Sequence, residues 1–150
     1  MNPDTFFATL RQMQGPALWV TLTIFIAAIA ANLLYYRTLQ RTMQTIAPGR
    51  RPVNPVLVWL SLVPFVGLIW YMIFAVMLSL GLQKELAARG LPGNGAIGVT
   101  CFTIGMFALF LAPSLRYMTV LPALLAWCTH WYRMAMYRKL LAEPVYLLIE

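Results

Sequence analysis

Charge is what this chain has least of. Only 10% of its 150 residues are Asp, Glu, Lys or Arg, against about 25% in an ordinary soluble domain. So few charges cannot coat a water-soluble surface. With 61% hydrophobic residues and a mean hydropathy of +0.75, the chain is expected to meet lipid rather than water. Acids are the scarcest charges. Asp4, Glu85, Glu143 and Glu150 all lie at the termini or between apolar segments. None is left at mid-membrane depth, where a proton- or cation-coupled carrier would need one. Histidine occurs once, as His130, two residues after Cys128. Positions i and i+2 do not share a helix face, so neither a zinc site nor a bis-histidine haem can be assembled from them. Cysteine is confined to Cys101 and Cys128, in apolar segments and without a C-x-x-C spacing, so both read as small buried hydrophobes. There is no Ser-His-Asp set and no P-loop, and Gly93-Asn94-Gly95 reads as a turn. No catalytic residue, cofactor or metal ligand is expected, and the chain is not expected to be an enzyme.

What the chain does have is apolar length. Four segments stand out, at about 16–36, 55–82, 96–112 and 118–132, separated by a basic loop at 37–52 and followed by a tail at 133–150. The expected class is an all-α integral membrane protein forming a single domain. The first segment offers 21 uncharged residues, enough to cross a hydrocarbon core of about 30 Å. Trp19 and the Tyr35-Tyr36 pair mark its ends, and Thr23, Ala27 and Ala31 form a small-residue stripe. Residues 1–15, with Phe6, Phe7, Leu10 and Met13 near helical spacing, read as a short interfacial helix. The apolar tail Val145–Ile149 is too short to span and is expected to dock on protein or on the membrane surface.

The stretch from Asn54 to Leu82 poses the topological question. It carries no charge but is broken by Pro64 and Gly67. Its first arm, Pro55 to Val63, would reach about 14 Å as a helix and its second, Leu68 to Leu82, about 22 Å. Neither arm crosses the core alone. If all four segments cross, the eleven basic residues split five against six, which gives no orientation. If the stretch turns back at Pro64 and Gly67 as a re-entrant hairpin, nine fall on one side and only Arg11 and Arg116 on the other. That asymmetry is what topology signals look like, with the C-terminus inside. Against it, Pro64 frees a carbonyl at an apex that would sit in lipid unless other protein covers it. Four spans and three spans with a hairpin both stay open. After Leu82 the helix is expected to continue to Arg89, with Glu85 and Arg89 paired and Gly90 as its cap.

Pro55, Trp59-Leu60, Pro64, Trp70, Ser79-Leu80, Glu85 and Arg89-Gly90 form a spaced motif. In it, Pro52 to Gly90 resembles a family of uncharacterised small bacterial membrane proteins, with Gly67 standing where the family has Asn. The resemblance implies a bacterial cytoplasmic-membrane location and supplies no activity.

Two further patterns suggest contacts. Gly98, Cys101, Gly105, Ala108 and Ala112 recur at steps of three and four, which lines small side chains along one seam for another helix to approach. Arg37, Arg41, Arg50 and Arg51, with no acid among them, read as a cytoplasmic topology signal and as candidates for anionic headgroups. The formal net charge of +7 sits beside apolar segments, so nucleic acid is not an expected partner. Expected partners are membrane lipids and other membrane subunits or a second copy. The expected role is an accessory or structural subunit, with lipid binding or membrane shaping as the alternative and a small pore or carrier third.

Overall fold

Apolar segments buried in lipid must satisfy every backbone group internally, and helices do so. The structure, a computed structural model, describes residues 15–64 and 66–142 and contains no strand among them. Helix α1 runs Pro16–Thr45, α2 Val66–Ala88, α3 Ile97–Leu111 and α4 Arg116–Ala142; two 3-10 helices, Pro48–Arg50 and Pro55–Leu62, lie between α1 and α2. Two helices are long and apolar enough to cross a membrane, α1 and α2, and α3 is a shorter apolar helix. The expected interfacial helix at 1–15 falls, but for Gly15, outside the described residues, as does the Val145–Ile149 tail.

The chain divides into two units, 1–35 and 36–150. The described part of the first is helix from Pro16 onward, with Trp19, Ile24, Phe25 and Ile26 all more than half exposed. Thr21 and Thr23 turn their hydroxyls back to the carbonyls of Ala17 and Trp19, four residues earlier. That bond hides a polar group on a helix whose exposed side chains are apolar.

The second unit holds the core. Leu39, Met43 and Ile46 from the end of α1, Val58, then Phe74, Leu78, Leu82 and Leu86 along α2, and Met134 on α4 are wholly buried. The central stretch doubles back. Asn54 caps the Pro55–Leu62 helix by accepting from the Val56 amide at 3.0 Å, and the chain reverses through Val63 and Pro64 into α2. The indole of Trp70 donates to the Leu57 carbonyl at 2.6 Å, and a Cβ on Gly67 would collide with the carbonyl of Ser61. Farther down, a Cβ on Gly81 would meet Pro52 at 2.9 Å. Residues 67, 70 and 81 thus pair with 61, 57 and 52, which makes the arms antiparallel. The stretch therefore does not form one continuous helix, and its first arm is a 3-10 helix rather than an α-helix.

Helix α2 ends as its sequence indicates. Gly90 is left-handed at φ +67°, and the Leu91 amide reaches back to the Leu86 carbonyl at 2.9 Å. Asn94 then accepts from the Ala96 amide, and left-handed Gly95 passes against the Ser79 carbonyl where no side chain fits. Helices α3 and α4 pack as a hairpin closed by the turn at 112–115. The fourth element is longer than the apolar segment at 118–132. It continues to Ala142 because Met134, Tyr137 and Leu141 recur on one buried face past the basic residues. The first ten residues of the expected tail therefore belong to a helix, and Pro122 lies inside it without ending it.

Candidate functional site at the basic face

The chemistry of the second unit concentrates where its helices end. Glu85 lies on the last turn of α2, past Leu82 and outside the apolar stretch, yet is 1% exposed. Burying a carboxylate without partners would be prohibitive, so its bonds can be accounted for one by one. Its Oε2 accepts from Arg50 Nε at 2.7 Å and from the Ala47 amide at 3.2 Å, and its Oε1 from Arg89 Nε at 2.8 Å. The Arg50 hydrogen bond, aided by Arg89 and the Ala47 amide, outweighs burial and holds the carboxyl down to about 2. Arg89 also donates to the carbonyls of Leu141 at 2.8 Å and Thr45 at 3.4 Å. One carboxylate and one guanidinium thus tie together the ends of α1, α2 and α4 and the Pro48–Arg50 turn. Beside them Arg51 donates to the carbonyls of Ile46 at 2.7 Å and Gln44 at 2.6 Å, caps that the end of α1 requires.

The candidate headgroup residues therefore separate. Arg50 and Arg51 hold a carboxylate and two carbonyls, whereas Arg37 and Arg41 are exposed and take part in no ion pair or hydrogen bond among the described residues. The sequence expectation of a pair between Glu85 and Arg89 holds. Its reading of Glu85 as a residue between segments misses the burial and the reach to Arg50, 35 positions earlier. Glu85 is the one acid in a stretch of basic residues, and that was the available signal.

Higher in the unit a second polar lattice crosses the helices. Ser79 and Thr100 share a hydrogen bond of 2.6 Å, and Thr100 meets His130 Nε2 at 3.0 Å. All three residues are wholly buried, His130 among them. Thr103 donates to the Ala126 carbonyl at 3.2 Å, Thr42 to that of Met134 at 3.2 Å, and Trp131 Nε1 to Thr38 at 3.0 Å. Trp59 Nε1 donates to Gln40 at 3.0 Å. Side-chain hydrogen bonds of this kind join helices where the hydrophobic effect cannot. They crosslink α1 to α4, α2 to α3 and α3 to α4, and none of them assembles a nucleophile with a base and an orienting acid.

The small-residue seam is brought onto one face of α3, most of it exposed. Gly98, Cys101, Gly105 and Ala108 are exposed, Ala112 is half-buried, and a Cβ on either glycine would meet nothing within 4 Å. The opposite face is the packed one, through Thr100 and Thr103. Cys101 and Cys128 are free and exposed, contrary to their reading as buried hydrophobes. A shallow apolar groove of about 440 Å³ runs between α3 and α4, lined by Gly98, Phe102, Leu121 and Leu125 among others. Pro64 and Gly67 stand at the hairpin apex, Gly67 buried against Ser61 and Pro64 exposed. No group of three or more metal-ligating side chains occurs among the described residues.

No protein family, curated protein or solved structure matches the chain, so the resemblance over Pro52–Gly90 rests on its motif residues alone.

Proposed function

We propose that this protein is a non-catalytic subunit of a membrane assembly, inserted with its central stretch as a re-entrant hairpin and built to lay its third helix against another membrane helix. The observation that carries the role is the open seam of α3. A helix fixed on one face by buried threonines presents glycines and alanines on the other, with empty space above Gly98 and Gly105. Backbones approach closely at such faces, and van der Waals contact is the main attraction available between helices in lipid.

The topology is supported by the Glu85 network. In a four-span arrangement the loop holding Ala47 and Arg50 would lie across the bilayer from Glu85 and Arg89. Those groups are hydrogen-bonded, and Arg89 also reaches Leu141. One side then receives the basic loop, the α2–α3 connection and the end of α4, matching the nine-to-two charge split and a cytoplasmic face. Location in a bacterial cytoplasmic membrane follows the motif resemblance.

Native mass after mild detergent extraction tests the role. A stoichiometric foreign subunit or a defined homo-oligomer is expected, and Gly105→Leu should abolish it while insertion persists. A lone monomer in both forms would sink the proposal.

A further inference from the structure

Arg37, Arg41, Lys84, Arg133 and Lys139 are exposed and make no hydrogen bond or ion pair among the described residues. The only described acid, Glu85, is already shared by Arg50 and Arg89. Nothing described on this face neutralises those five cations.

They are far apart in sequence but not in depth. Arg41 precedes Thr42, whose hydroxyl bonds the Met134 carbonyl at 3.2 Å, and Arg133 precedes Met134. Lys84 precedes Glu85, which accepts from Ala47 two residues past the end of α1. These bonds set Arg41 and Arg133 at one level and Lys84 nearer the Ala47 end, all within about 8 Å of depth around the base of the unit. Aromatic residues with a polar tip collect near that level: Trp59 bonds Gln40, Trp131 bonds Thr38, and Tyr132 is exposed. Beyond it the exposed surface becomes apolar, as at Leu121, Leu124 and Leu125 on α4. Indole and phenol rings favour headgroup depth, and cations just outside the hydrocarbon attract anionic lipid.

From this we infer that the exposed cations of α1, α2 and α4 form a rim that binds the anionic phospholipids of one leaflet, and that Arg50 and Arg51 are not its carriers. The inference rests on the membrane-inserted reading above but not on the seam.

The test uses the purified full chain, with phosphatidylglycerol and phosphatidylcholine as probes and retained lipid counted by native mass. Wild type should retain phosphatidylglycerol in preference to phosphatidylcholine. At roughly fivefold per cation near an anionic surface, Arg41→Gln/Lys84→Gln/Arg133→Gln should weaken that retention about a hundredfold. Arg51→Gln should lower the melting temperature and leave retention within about twofold, because its bonds are to carbonyls of its own chain. Equal retention by wild type and the triple variant, equal retention of both lipids, or displacement by inorganic phosphate would each overturn the rim. Should the triple variant fail to fold, the three single variants carry the test, each expected to lose about fivefold. Gly105→Leu separates the two readings: a change in oligomeric mass with lipid retention intact bears on the seam alone.

Discussion

Glu85 is the only acidic side chain among the described residues, and what surrounds it sets how each change there behaves. Replacing it by Gln removes the charge that two guanidiniums share, at a cost of about 2 kcal/mol, the range of hydrogen bonds to charged groups. Thermal unfolding in detergent should register the loss. Arg89→Ala should be worse than Arg50→Ala. Arg89 is 25% exposed and holds two carbonyls besides the carboxylate, whereas Arg50 is 44% exposed and partly solvated already. The pH dependence follows from the same contacts. The folded carboxyl is held down to about 2 from an ordinary 4.5. Its contribution is therefore complete above the ordinary value and disappears as the pH falls from there through about 2. Melting temperature should drop across that acid window in wild type and drop less in Glu85→Gln; parallel curves would contradict the assignment.

At the level of elements, the hairpin is the part most exposed to a single substitution. Gly67→Val puts a branched side chain where even a Cβ would lie 2.7 Å from the Ser61 carbonyl carbon, which is backbone and cannot rotate away. The arms should part at the apex, loosening the Trp70–Leu57 bond. Thermal unfolding in detergent should come at a lower temperature, whereas Gly98→Ala, which meets nothing, should not alter it. How far these elements could be read from the sequence varies with the kind of signal each carries. Apolar runs and Gly90 after Arg89 mark their own boundaries, because capping is a local matter of backbone bonds. The first arm's 3-10 winding and the helical course of Arg133–Ala142 were not legible. The former depends on packing against α2, and the latter on Met134 and Leu141 finding a buried face that charge counting overlooks. That the central stretch doubles back was not legible, because it rests on contacts such as the bond from Trp70 to the Leu57 carbonyl that spacing does not reveal. The seam's composition was legible, but the side of α3 that packs inside the chain was not. Thr100 and Thr103 make its hydrogen bonds to α4.

For the whole molecule, topology is the property most directly measurable. Cysteines introduced at Gln44 and Pro92, both exposed, should react with an impermeant maleimide from the same side of sealed vesicles once Cys101 and Cys128 are replaced. Labelling from opposite sides would restore four spans. The same experiment at Lys139 should agree with the first two, since Arg89 bonds the Leu141 carbonyl nearby.

The pairing of α1 with α4 also bears on synthesis. Thr38 meets Trp131 and Thr42 meets Met134, contacts that join chain positions 93 and 92 apart. At roughly 5–20 residues per second, a ribosome needs about 5–20 s to make the second half of each pair. The end of the first helix is therefore made well before its α4 partners, with the Thr42 hydroxyl already bonded to the Thr38 carbonyl of its own turn. The contacts that close the second unit thus form last, once the final helix is complete.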